Sequence, residues 1–331
     1  MKLKNTDLIP LLHGAALAVD QKNGYLALYR FHRDQLAYYK TAKDPKKAAF
    51  FGKARASSGI RLCFHTDSPF FSFKFYVKRA ADRTFYAFDV VVDGVLCHHQ
   101  GEKEVFEGAG TVRVALPEGE HQVTVYCPML FATEIADFTV ADGATVTPVE
   151  RSRRMLVLGD SLTQGYDALF PSLAYANVLA DLLDATAINQ GIGGEIFNPD
   201  MPHPSLGFEV DMILVSYGQN DYTKCTREEM TENATGFYRR LRRTYPDAPI
   251  FALLPVWRTD CDKIHAMSYE ETIAIAKKAA LSVGAIPIDG MRVIPHMREF
   301  YSNSKTPHPN DLGMRFCANG IYAAIKPYLD K

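Results

Sequence analysis

Four short stretches of this chain carry side chains that could do chemistry together. "GDSLTQG" places Ser161 behind the apolar run "RMLVL", and "NQGIGG" places Gly191, Gly193 and Gly194 behind "ATAI". "GQND" places Asn220 and Asp221 behind "DMILVSY", and "KTPHPND" holds His308 between Pro307 and Pro309. A hydroxyl, glycine amides, a carboxamide and an imidazole are the parts that acyl transfer requires. A serine attacks only when a base takes its proton, and an ordinary imidazole titrates near ~6.5, close to working pH. Activity that depends on a neutral histidine then rises with pH through that range. The tetrahedral intermediate carries an oxyanion, and losing one preorganised donor to it costs about 2.7–4 kcal/mol.

Each stretch alone has a plainer reading. Gly-Asp-Ser after a strand also serves as a helix-capping turn, because Asp and Ser satisfy orphan N–H groups. "GIGG" also reads as a simple loop or a phosphate cradle, but it lacks the Gly-x-Gly-x-x-Gly spacing and the Walker lysine. Asn220-Asp221 also reads as a turn pair, the better reading for Asp221. A proline on each side holds His308 in an extended, stiff segment.

The surrounding pattern gathers these stretches on one rim. "RMLVLG", "ATAINQG", "DMILVSYG", "PIFALLP" and "GAIPID" are short apolar runs, as expected of strands buried on both faces. Helical patterns lie between and after them, at about 171–183, 227–244, 268–283 and 311–329. Such alternation predicts an open parallel sheet with helices on both faces. Ligands of these sheets bind at the carboxyl ends of the strands.

The first part of the chain has a different period. Between about 57 and 146, runs such as "FFSFKFYVKR" and "TVRVALPEGEHQVTVYCP" alternate in twos and are separated by Asp-Gly and Pro-Glu-Gly-Glu turns. This predicts an antiparallel β-sandwich, jelly-roll-like, over 1–150 and an α/β domain over 151–331, joined near 147–153. Residues before Ser57 add an edge strand or wrap the sandwich.

At this point the four stretches resemble the blocks of the SGNH, or GDSL, hydrolases: Ser161 in "GDSLTQG", Gly194 in "NQGIGG", Asn220 in "GQND" and His308 in "HPND". The resemblance covers most of 154–331 and implies a flavodoxin-like three-layer α/β/α domain with esterase or acylhydrolase activity. It implies Ser161 as nucleophile, His308 as general base, and an oxyanion hole of Ser161 N–H, Gly194 N–H and the Asn220 side chain. A sandwich ahead of such a domain is similar to the carbohydrate esterases of family two, which remove acetyl groups from polysaccharides or oligosaccharides. Trp257 and Arg258, behind "PIFALLP", are candidates for substrate binding, although Trp257 could equally pack in the core and Arg258 could pair with Asp260.

The pattern departs from the family at one position. Its members carry Asp three residues before the histidine, where this chain has Lys305, which cannot accept the ring N–H. A backbone carbonyl, Asp289, Asn303 or Ser304 could take the place of that acid. The resemblance to family two includes serine–histidine dyads backed by a carbonyl, so a dyad is expected. Asp311 is expected to cap the last helix.

Composition bounds the rest. The chain has 331 residues, is 47% hydrophobic, and carries a net charge of -1, which gives no general pull on nucleic acid or an acidic membrane. Six scattered cysteines without Cys-x-x-Cys favour reduced thiols and a cytoplasmic setting, and no metal-ligand spacing appears. Asp7, Pro10 and His13 interrupt the apolar opening, which argues against a signal peptide. The expected function is a serine esterase removing short acyl groups, O-acetyl foremost, from a small-molecule or oligosaccharide ester without a cofactor. The alternatives are a lipid or thioester acylhydrolase and an inactive carbohydrate-binding relative. Oligomeric state is not legible.

Overall fold

Two-fold alternation builds the first part of the molecule. In the strand Phe70–Arg79, Phe71, Phe73, Phe75 and Val77 are buried, while Lys74 and Lys78 face solvent. The computed structural model describes residues 1–41, 45–203, 209–302 and 308–329. The chain splits into two compact units, Met1–Arg151 with Leu169–Ser172, and Ser152–Ala168 with Leu173–Lys331.

The first unit has two antiparallel sheets. One runs in the order Leu17–Asp20, Leu26–Tyr29, Phe131–Val140, Phe70–Arg79, Glu107–Ala115. The other runs Leu12–His13, Arg61–Thr66, His121–Tyr126, Tyr86–Val92, Val95–Glu102, with Val146–Pro148 also paired to Arg61–Thr66. Their apolar faces oppose each other. Phe64 of the second sheet meets Phe71 and Phe138 of the first at 5.5 and 5.4 Å. Phe88 likewise meets Phe73 and Phe75 at 5.8 and 4.8 Å. Two sheets sharing one layer of side chains form a sandwich, and each fully buried Phe contributes about 1.5–3 kcal/mol. The strand Val95–Glu102 was not foreseen, because at the sheet edge nearly all its residues are exposed and no alternation marks it.

The second unit is built on five parallel strands: β1 Arg153–Gly159, β2 Ala185–Gly191, β3 Met212–Ser216, β4 Ile250–Leu253 and β5 Ile286–Ile288. Their order is β2-β1-β3-β4-β5, the flavodoxin-like arrangement. All of Met155–Gly159 is buried, as a strand covered on both faces requires. Helices α1 Ser161–Gln164, α2 Tyr175–Leu182, α3 Asp221–Lys224, α4 Arg227–Thr244, α5 Tyr269–Leu281 and α6 Asp311–Ile325 complete the unit. Thr226 with Glu229 and Ser268 with Glu271 form capping boxes that start α4 and α5. The cap of α6 is Asn310, whose Oδ1 accepts from Gly313 N–H at 3.0 Å, and not Asp311, which lies in the first turn. Among the described residues, no helix is long and apolar enough to cross a membrane.

Candidate active site

β1 ends at Gly159, and the chain turns at once into α1. Asp160 caps that turn, its Oδ1 accepting from Leu162 N–H at 3.0 Å, which leaves Ser161 as the first helical residue. A Cβ on Gly159 would lie 2.1 Å from Thr163 Oγ1, so only glycine lets α1 fold back over the strand end. Ser161 is thus presented, part-exposed, at the carboxyl end of β1.

The loop after β2 consumes most of its own amides. Gly191 N–H donates to Asn189 Oδ1 at 2.9 Å, Ile192 N–H to Gly159 O at 2.9 Å and Gly193 N–H to Gln164 Oε1 at 2.6 Å. Glu195 N–H donates to Ile192 O at 3.1 Å. Gly194 N–H alone in this run has no acceptor among the described residues, and its backbone, at φ 88°, suits glycine. After β3, Asn220 Nδ2 donates one hydrogen to Glu195 O at 3.0 Å and keeps the second for another acceptor.

His308 comes from a segment pinned by antiparallel bonding. Tyr301 pairs with Pro309, Ser302 N–H donates to His308 O at 2.8 Å, and Asn310 N–H donates to Phe300 O at 3.0 Å. The imidazole Nε2 lies 2.9 Å from Ser161 Oγ, within hydrogen-bond reach. Its ring sits 5.3 Å from that of the buried Tyr166.

The other ring nitrogen, for which a carbonyl was expected, faces a carboxylate. No backbone carbonyl bonds Nδ1 among the described residues; Asp167 Oδ2 stands 3.3 Å away instead, short of an aligned hydrogen bond. Ser302 Oγ–H donates to the same Asp167 oxygen at 2.6 Å. Asp289 is engaged elsewhere, capping Gly290–Arg292 through Met291 N–H at 3.1 Å. Asn303, Ser304 and Lys305 lie outside the described residues. Asp167 follows Ser161 by only six positions in the sequence, so the signal was its place in the same loop, not its spacing from the histidine.

Two other acids are buried nearby in the chain. Burial pushes Asp160 up to about 6, against the pull of its bond from Leu162 and of His308, Lys224 and Arg258. Burial pushes Asp221 up to about 7, against its bond from Phe197 N–H at 3.1 Å. The Oδ2 of each has no hydrogen-bond partner among the described residues. Arg258 takes the pairing alternative: Nε and Nη2 hold Asp260 at 2.5 and 3.1 Å, while Nη1 donates to Gln219 O at 2.8 Å. Trp257 is half-buried, stacked on His296 at 5.2 Å and edge-on to Tyr301 at 5.1 Å.

A hydroxyl and an imidazole thus meet at the carboxyl rim of a parallel sheet. Residues 157–316 match the model of the GDSL-like Lipase/Acylhydrolase family, so the second unit carries a domain of that family. Three solved structures share the fold over nearly the whole chain. A salicylyl-acyltransferase, SsfX3, from a tetracycline biosynthetic pathway is 22% identical with TM-score 0.81, over 99% of this chain and 97% of its own. A GDSL-like protein of Bacteroides ovatus ATCC 8483 is 20% identical with TM-score 0.74, over 100% and 98%. A family two carbohydrate esterase from Cellvibrio japonicus is 16% identical with TM-score 0.61, over 98% and 97%. At these identities the likeness is one of fold. No curated protein sequence matches the chain.

Proposed function

We propose that the chain is a serine esterase that removes short acyl groups, O-acetyl foremost, from a carbohydrate through an acyl-enzyme. The observation that carries this reading is the 2.9 Å approach of His308 Nε2 to Ser161 Oγ. His308 takes the hydroxyl proton as Ser161 attacks the ester carbonyl. The oxyanion is met by Ser161 N–H at the start of α1, by Gly194 N–H and by the spare hydrogen of Asn220 Nδ2. Protonated His308 then passes its proton to the departing ester oxygen, which leaves as the sugar hydroxyl. Water, deprotonated by the same imidazole, releases the acid. Every step uses side chains and amides of this chain.

The carbohydrate is suggested by the fold shared with a family two carbohydrate esterase and by the sandwich ahead of the hydrolase domain. Trp257 remains the candidate wall for a sugar ring. The six cysteines, all free thiols, support a cytoplasmic setting. A second reading, transfer of the acyl group to an alcohol other than water, is favoured by the likeness in fold to the salicylyl-acyltransferase.

Initial rates with an activated acetyl ester, for the native chain and Ser161→Ala, test the central reading. Hydrolysis that disappears in the variant is expected; turnover that survives it contradicts the proposal. A panel of acetylated sugars against longer acyl and salicylyl esters, with added alcohols, then separates deacetylation from acyl transfer. Preference for acetylated sugars with water as acceptor is the expected outcome.

A further inference from the structure

Resting on the assignment of Ser161 and His308, we infer that Asp167, carried on the nucleophile's own loop and clamped by Ser302, orients His308 in place of the acid that Lys305 replaces. A buried imidazole nitrogen needs a partner; among the described residues His308 Nδ1 is buried without a formed hydrogen bond, and the Asp167 carboxylate lies 3.3 Å from it. Asp167 is itself 8% exposed, so water does not screen the pair strongly. Its backbone stands at φ 65°, a left-handed conformation that a non-glycine residue keeps only where its surroundings hold it.

Ser302 supplies that enforcement from both of its donors. The hydroxyl holds Asp167 Oδ2 at 2.6 Å, and the amide holds His308 O at 2.8 Å. One residue therefore ties the loop bearing the acid to the segment bearing the base. With the Nδ1 proton directed at the carboxylate, the Nε2 lone pair faces Ser161, which is the tautomer the reaction needs. As the imidazolium forms, the 3.3 Å approach tightens into a charge-assisted bond; unliganded sites commonly hold such contacts long. Asp167 and Ser302 are positioning residues, since they act through His308.

The intact chain carrying Asp167→Asn, Asp167→Ala, Ser302→Ala or Ser302→Thr tests this with an activated acetyl ester. Loss of the carboxylate is expected to lower kcat by roughly 10²–10⁴ while KM changes little, as for a triad deprived of its acid. The acidic limb of kcat/KM should move to lower pH, because removing a negative charge disfavours the imidazolium. A purely structural role would not move that limb. Ser302→Ala should lower kcat about 10-fold, the cost of one hydrogen bond, and Ser302→Thr should restore most of it. Native kcat and an unmoved limb in the Asp167 variants, with Ser161→Ala inactive, would overturn the inference and leave the nucleophile intact. An active Ser161→Ala would instead sink the reading beneath it.

Discussion

Asn220 gives one amide hydrogen to Glu195 O at 3.0 Å, and the proposed mechanism assigns the other to the oxyanion. Asn220→Ala should therefore cut kcat by about 10²–10³ with KM nearly unchanged, the usual cost of one oxyanion donor. Steady-state kinetics check it, and an equal rise in KM would mean that Asn220 binds the ground state instead. Asp221 offers a second test, in stability. Its folded pKa is raised to about 7 by burial, so between the unfolded carboxylate value, about 4, and 7 the folded state holds more protons than the unfolded one. Stability then falls as pH rises through that window, by up to ~1.4 kcal/mol for each pH unit crossed. Asp221→Asn removes this penalty. Denaturant unfolding from pH 4 to pH 8 should show a smaller loss in the variant than in the native chain. Ser161, Asn220 and His308 stood out in the sequence because the first two follow apolar runs and the third lies between two prolines ahead of a helix. Asp167 did not, because its role depends on a contact with His308 that lies 141 positions away and exists only in the folded chain.

At the scale of elements, the site depends on turns too tight for side chains. Gly193 is the clearest case: an added Cβ would lie 2.5 Å from the Tyr166 ring. Tyr166 precedes Asp167 and packs against His308, so Gly193→Ala should displace both partners of the imidazole. The expected result is a fall in kcat of at least about 10-fold, as when a small misplacement spoils the attack geometry, with far-ultraviolet circular dichroism unchanged. Native kcat would show that the loop absorbs the methyl group. The parallel strands were readable as unbroken apolar runs, and the starts of α4 and α5 follow Thr-x-x-Glu and Ser-x-x-Glu boxes. The cap of α6 lies one residue earlier than its sequence suggests. Asn310 and Asp311 are both good caps, and Asn310 is favoured by the further bond of its Nδ2 to Glu299 O at 2.8 Å.

Across the whole molecule, a change in hydrophobic period separated an antiparallel sandwich from a parallel α/β unit, and both architectures are present. The residues before Ser57 resisted reading because their strands are only two to four residues long, too short to show alternation. The substrate is less legible than the chemistry. The groups that break an ester are few and fixed in type, whereas a sugar or another acyl acceptor can be bound by many combinations of side chains. The measurement that tests the account most directly is the site of covalent labelling by a serine-directed fluorophosphonate, read by peptide mass spectrometry of the intact chain after reaction. The account predicts a single adduct on Ser161, absent in Ser161→Ala and formed far more slowly in His308→Ala. No adduct on Ser161, or equal labelling without the imidazole, would contradict it.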